Sequence, residues 1–363
     1  MPRPLAGAGP DDEEEQRVAE RILDGAPPVA SRELESPPPP LPRGPLSSHV
    51  LEHLLQAPHH LPPAPRGDDD PLWGDDAQLA LYCCYELHYR CFSGVDDGWE
   101  WEPSLLALRR ELETAFERRL KDEIGAVCSS GDLEADLRRT TAAGQGPSLS
   151  AYLEESGTLD AMREFSIHRS AYQLKEADPH TWAIPRLGGA PKAALIEIQL
   201  DEYGEGVEPA MHSTLFARSM EALGLDSAYG AYLDCLPGTT LATTNVISLF
   251  GLHRRWRGAL IGHLAAFEAT SVTPMSRYQR ALRRLGLGSD ARAFYEVHVD
   301  ADAHHEVVAL RDMASWLAWA EPGLTADILF GARAMMLVEE RFARHLLESW
   351  DGGTSSLLPG ERT

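Results

Sequence analysis

From Pro71 onward, apolar residues recur every three to four positions almost without a break, the period of helices that bury one face. Segment 76–92 predicts a helix stopped by Gly94. Segment 103–123 predicts another, with Pro103 at its first position and Leu105, Leu106, Leu108, Leu112, Phe116 and Leu120 along its length. A short helix is expected within 46–60, ahead of Pro62-Pro63, and the Ser/Thr/Gly-rich 129–147 reads as a loop or weak helix. Further helices are expected at about 148–177, 190–203, 208–223, 226–236, 238–250, 252–286 with a kink or break at Pro274, 289–320 and 323–350. Asp178-Pro179, Tyr203-Gly204-Glu205-Gly206 and Leu285-Gly286-Leu287-Gly288 separate several of them, and Ser289 and Asp290 are candidate N-caps. No alternating strand pattern, βαβ rhythm or internal repeat is present. Gly188-Gly189 and Gly204-Glu205-Gly206 do not make a dinucleotide-binding turn. The pattern predicts a single all-α bundle.

Residues 1–45 depart from that pattern. They are rich in Pro, Gly, Ala and acid, include Pro37-Pro38-Pro39-Pro40, and hold too little apolar surface to fold alone. The expected organisation is a disordered or loosely packed N-terminal arm over 1–45, a helical extension with the first bundle helices over 46–150, a helical core over 151–350 and a flexible tail over 351–363.

Composition narrows the class. With 363 residues and 43% hydrophobic content the chain can bury a large core. A net charge of −23 removes the basic footprint of a nucleic-acid or anionic-membrane binder. Cys83, Cys84, Cys91, Cys128 and Cys235 are odd in number and form no CxxC, which fits free, mostly buried thiols in a reducing cytoplasm. Asp11-Asp12-Glu13-Glu14-Glu15 stands where a signal peptide would be apolar, and no apolar run reaches the roughly 18–20 residues of a membrane span. A soluble cytoplasmic protein without membrane or nucleic-acid partners is expected.

His298, Asp302 and His305 fall at i, i+4 and i+7, so on a helix they stack along one face. Two imidazoles and a carboxylate suit redox iron better than a thiolate-rich structural zinc site. Other helices must then supply the remaining ligands. Glu176 ends one expected helix, Glu202 closes the next, His212 begins another, and Glu268 sits mid-helix in an Ala/Leu/Phe setting. Singly, each has an ordinary explanation: exposed acids at helix ends, a hydrogen-bonded core histidine, a solvated polar stripe. Glu268 fits those explanations least well, because an acid in so apolar a run needs a partner.

Together these segments resemble the heme-oxygenase-like di-iron oxygenases and oxidases, the iron-containing redox enzymes. The resemblance covers about residues 76–350. It is densest in Leu-Lys-Glu-Ala-Asp-Pro-His-Thr-Trp-Ala-Ile-Pro-Arg-Leu (174–187) and Ala-Leu-Ile-Glu-Ile-Gln-Leu-Asp-Glu-Tyr-Gly-Glu-Gly (194–206), which lead into His212 and Leu215-Phe216. It implies a heme-oxygenase-like helical bundle whose 151–350 core binds two Fe(II)/Fe(III) ions through Glu176, Glu202, His212, Glu268, His298, Asp302 and His305. Glu202 is the expected bridging carboxylate. Bound heme needs an axial ligand rather than a carboxylate cluster, so a heme enzyme is disfavoured.

The resemblance further implies O2 as co-substrate, an external electron donor or redox partner, and N-oxygenation of a small amine or amino-acid-derived substrate to hydroxylamine, nitroso or nitro products in specialised metabolism. Oxidative C–C cleavage or desaturation of an amino or fatty acid is the alternative on the same ligand set. A non-catalytic metal-binding or scaffold protein is the reading of another class. Asp178, Gln199, Asp201, His304 and Glu306 are candidates for hydrogen-bonding the ligands. Arg186, Arg254, Arg255 and Arg257 are candidates for holding a substrate carboxylate, and Tyr82, Tyr85, Tyr89, Trp182 and Phe267 read as core. The helices before residue 150 could cap the pocket or form a homodimer interface.

Overall fold

Helices begin where the sequence offers caps in a computed structural model that describes residues 35–65, 67–142 and 146–359, the side chains of 300–303 excepted. In α1 (Pro45–Leu54) the Leu46 and Ser47 amides donate to Asp76 at 2.9 and 2.7 Å, and in α2 (Asp75–Glu86) the Asp76 and Ala77 amides donate to Asp69 at 2.9 and 3.0 Å. Glu102 caps α3 (Pro103–Ile124) by accepting from the Leu105 amide at 2.8 Å. Within the 129–147 stretch, α4 (Leu133–Ala142) starts from Asp132, which accepts from the Ala135 amide at 3.0 Å.

The helix expected over 148–177 is two helices, α5 (Leu149–Glu155) and α6 (Leu159–Gln173). Thr158 restarts the chain as an N-cap, its hydroxyl accepting from the Ala161 amide at 3.1 Å, and α6 stops three residues short of Glu176. There follow α7 (Asp178–Thr181), α8 (Gly189–Glu202), α9 (His212–Ala222), α10 (Gly238–Leu252), α11 (Arg257–Arg284) and α12 (Ser289–Val307). A π-helical stretch, Val308–Ser315, joins α12 to α13 (Trp316–Ala320), and α14 (Thr325–Asp351) completes the bundle.

Two expectations fail locally. Residues 226–236 form no α-helix, only a 3-10 turn at Leu233–Cys235. Asp226 instead closes an Asx turn by accepting from the Ala228 amide at 2.9 Å, and Gly230 takes φ 74°. Pro274 does not break α11, which runs through it. The described residues contain helices and turns but no strand, as the all-α pattern predicts.

Residues 36–44 do not hang loose. Pro37 and Pro40 are buried. The Ser93 amide donates to the Pro37 carbonyl at 2.8 Å, the Leu41 amide to Asp234 at 2.6 Å, and Arg43 to the Leu233 carbonyl at 2.6 Å. A proline run carries few amide donors of its own, so it can be buried without a ladder of backbone bonds. The rest of the expected arm, 1–34, lies outside the described residues, as does the tip of the tail, 360–363.

Helix α10 is buried on every face from Gly238 to Gly251, which makes it the axis of the bundle. Its neighbours include α2 and α14, while α11 lies against α14 on one side and α12 on another. The α11–α14 crossing is backbone on backbone. A Cβ on Gly262 would stand 1.8 Å from the Ile328 carbonyl oxygen, and one on Gly331 would stand 1.9 Å from that of Ala259. That closeness sets the position of Glu268, six residues or about one and two-thirds turns further along α11.

Candidate metal centre

Five elements bring the charged residues inward. Glu176 sits past the end of α6, in a turn whose next residue, Ala177, has φ 71°. A left-handed alanine is uncommon and costs backbone energy, and this one directs the chain sharply into α7. Glu202 is the last residue of α8 and His212 the first of α9, so the short loop between them places both at one level. Glu268 projects from the middle of α11, and His298 and His305 from one face of α12. All six side chains are buried, between 1% and 7% exposed.

Two groups result. Ligand atoms of Glu176, Glu202, His212 and His298 lie within 4.8 Å of one another, and so do those of Glu202, Glu268 and His305. Glu202 is common to both. Its Oε2 stands 2.7 Å from His212 Nδ1 yet has no hydrogen-bond partner. Glu176 Oε1 is 3.8 Å from His298 Nε2, and Glu268 Oε2 is 3.7 Å from His305 Nδ1. Buried Glu176 Oε2 and His305 Nδ1 likewise lack hydrogen-bond partners. Sealed carboxylate oxygens without hydrogen bonds are costly unless a cation lies against them. The donor set therefore fits metal, and its nitrogen and oxygen composition fits iron.

Orientation is fixed from behind. His298 Nδ1 donates to the Phe294 carbonyl at 2.7 Å, so in the neutral ring the Nε2 lone pair faces Glu176. His305 Nε2 lies 2.9 Å from Asp201 Oδ2. Burial works against charge on His305, but Asp201 and Glu268 outweigh it and raise the imidazole to about 10. Burial lifts the Glu176, Glu202 and Glu268 carboxyls above their ordinary range, with the facing histidines opposing it. Tyr172 is raised well above an ordinary phenol by burial and by those three carboxylates.

Asp302 falls within 300–303 and so outside the described side chains. Of the residues expected behind the ligands, Asp201 touches His305. Gln199 donates to the Ala177 carbonyl at 3.0 Å and to Thr181 Oγ1 at 2.6 Å, which braces the Glu176 turn, and Asp178 accepts from Tyr203 at 2.8 Å. His304 and Glu306 do not reach the centre. They point to the surface, His304 to Glu197 at 2.9 Å and Glu306 to Arg138 at 2.5 Å, because one helical residue turns the side chain by about 100°.

The four expected substrate arginines sit elsewhere. Arg186 donates to the carbonyls of Gly251 and Leu252, Arg255 pairs with Glu117 at 2.7 Å, Arg257 pairs with Glu321, and Arg254 is exposed. None lines a cavity beside the carboxylates.

A gap of about 10 Å3, close to the size of one water, lies among Glu176, Glu202, Glu268 and His298, with Tyr172 and His180 also in its wall. Phe267 and Ser271 line both it and a partly open cavity of about 560 Å3 lined mainly by α5, α6, α11, α12 and α14. Phe267 is thus a wall between two cavities rather than plain core. Arg169, Gln173 and Arg277 line the larger one and were not singled out from the sequence. Arg169, Gln173 and Glu176 repeat the i, i+4, i+7 spacing of the histidine helix, a signal that could have found the first two.

Residues 163–340, which carry every residue of both groups, match the family model of the iron-containing redox enzymes. It is similar to a nitrosourea synthase of Streptomyces achromogenes subsp. streptozoticus, 26% identical over 241 residues, 64% of this chain and 51% of that one. The chain therefore spans about half the length of this curated relative. A crystal structure of a CADD-like protein of unknown function from Nostoc punctiforme superposes with a TM-score of 0.49 at 17% identity, over 60% of this chain and 96% of the other. No described helix is long and apolar enough to cross a membrane.

Proposed function

We propose that the chain is a non-heme di-iron oxygenase that activates O2 and N-oxygenates a small amine or amino-acid-derived substrate. The observation that carries the metal assignment is the sharing of Glu202 between two buried ligand groups, one with Glu176, His212 and His298 and one with Glu268 and His305. Glu202 is the bridging carboxylate in this reading, and Asp302 completes the set through the His298–Asp302–His305 spacing. Bound ferrous iron would supply the electrons and Lewis acidity that O2 chemistry requires. The chain's own part is to hold its ligands in a dry, fixed geometry: Phe294 sets the His298 tautomer, Asp201 holds His305, and Gln199 braces the Glu176 turn. The choice of nitrogen as the oxidised atom is supported by the resemblance to a nitrosourea synthase.

The test is to load the protein with Fe(II) and supply isotope-labelled O2, a reductant and a panel of amines. Label on product nitrogen is the expected result. Chain-shortened or alkene products without it would move the reaction to C–C cleavage or desaturation, and no O2 consumption under any condition would leave a metal-binding scaffold.

A further inference from the structure

We propose that the cavity of about 560 Å3 is the substrate chamber, and that it takes a molecule with an amine at one end, a carboxylate at the other and an uncharged apolar body between: an ω-amino acid or an aminoalkyl-aryl carboxylic acid. The proposal rests on the oxygenase reading and adds the substrate class.

Position comes first. Phe267 and Ser271 line both this cavity and the gap among the carboxylates, so one layer of side chains separates a ligand here from the metal centre. The volume lies within the roughly 300–1,000 Å3 typical of small-molecule sites.

The two ends of the chamber differ in chemistry. At the inner end, Gln173 Oε1 is buried without a hydrogen-bond partner. The Ser271 hydroxyl already donates to the Glu268 carbonyl at 2.9 Å, so it can only accept. Both groups ask for an N–H donor, which an amine has and a carboxylate lacks.

At the outer end, Glu154 is shared by Arg277 at 3.5 Å and Arg280 at 2.5 Å, two guanidinium groups against one carboxylate. Ser148 and Ser150 accept from Arg277 at 3.1 and 3.4 Å and hold it at the wall. Nowhere else do the described lining residues leave positive charge in surplus. Arg169 is matched by Glu339 through two bonds of 2.8 and 2.6 Å. An anion seeking a partner in a chain of net charge −23 therefore finds it at Arg277.

Between the ends stand Phe165, Phe294, Tyr278 and Met335, with no carboxylate left over for a cationic body, since Glu340 pairs with Arg344 at 2.8 Å. Ser271 and Arg277 are six residues apart on α11, about 9 Å along its axis. An amine and a carboxylate on one carbon cannot span that distance. A pair separated by a chain of about four to six atoms can.

The experiment is calorimetric binding under argon to the full chain, with and without added Fe(II). The probes are 6-aminohexanoate and 4-(aminomethyl)benzoate, against benzylamine and L-phenylalanine. The first two should bind at least tenfold more tightly than the last two. Arg277→Gln should abolish the preference over benzylamine, Arg277→Lys should keep most of it, and Gln173→Leu should weaken every amine. Equal binding of benzylamine, a preference that survives in Arg277→Gln, or no binding of either ω-amino acid would overturn the proposal. Binding is read without turnover, so the two readings fail separately. Probe binding without O2 consumption would count against the oxygenase alone, and O2 consumption with other amines but no probe binding against the chamber alone.

Discussion

His305 faces two carboxylates at once, with Nε2 2.9 Å from Asp201 Oδ2 and Nδ1 3.7 Å from Glu268 Oε2. Only Glu268 is sealed from solvent, and Asp201 is 42% exposed. On the proposed di-iron reading, Glu268 stands on the metal side of the ring and Asp201 at its back. Asp201→Asn should therefore weaken iron affinity about 10- to 100-fold while circular dichroism stays unchanged. Competition with a chelator of known affinity measures it, and an unchanged constant would deny Asp201 this role.

Sharing of Glu202 gives a stoichiometric signature. Glu202→Ala should remove both ions, whereas His212→Ala and His305→Ala should each leave about one iron per chain. Iron assayed after anaerobic loading and desalting distinguishes these. A Glu202→Ala protein that still holds two irons would refute the bridge.

Lys175 and Glu86 form an ion pair at 2.7 Å with both side chains 1% exposed, and Tyr229 also donates to Glu86 at 2.6 Å. The Lys175 ammonium lies 4.8 and 4.4 Å from the Tyr82 and Tyr89 rings. Lys175→Met strands a buried carboxylate and should cost about 3–5 kcal/mol in denaturant unfolding. Adding Glu86→Gln should recover part of that loss.

The glycine crossing of α11 and α14 leaves no room for a methyl group. Gly262→Ala and Gly331→Ala should each destabilise the fold by roughly 1–3 kcal/mol or more. A lowered unfolding midpoint at constant denaturant slope is the expected readout.

Glu164 ties the segment after α14 to α6. Burial disfavours its charge, but Ser356 (Oγ at 2.6 Å, amide at 2.9 Å) and Trp350 Nε1 at 2.9 Å outweigh that and hold the carboxyl below its ordinary value. A depressed carboxyl stabilises the fold above its unfolded-state value, and the contribution is lost as pH falls through the folded one. The protection factor of the Ser356 amide, its exchange relative to the intrinsic rate at each pH, should fall on acidification below about pH 4, and Glu164→Gln should remove that acid step.

Helix periodicity and cap residues made most of the bundle legible, since local spacing and local hydrogen bonds are written in order along the chain. Glu202, His212 and Glu268 were legible as an acid at a helix end, an imidazole at a helix start and an acid in an apolar run, and the fold groups them in space. The expected substrate arginines were misplaced for the opposite reason. Arg186 and Arg257 look like those of a polar pocket, and only the fold reveals that each is taken by carbonyls or by Glu321. The chamber escaped notice because α5, α6, α11, α12 and α14 meet only in space, and no local signal joins Ser148 to Gln173 or Arg277. Ala177 likewise looked like ordinary helix, whereas its positive φ comes from the sharp turn into α7.

The stretch Val308–Ser315 carries one residue more per turn than the helix it continues. One residue more in the stretch shifts the phase of everything downstream by about 100°. Upstream, that phase is set by His298 and His305 against the carboxylates; within and beyond the stretch, Leu310, Met313 and Leu317 must face the apolar core. Removing one residue from this stretch should let a regular helix close while forcing a choice between the two faces. The chain keeps both by being, at this point, one residue too long.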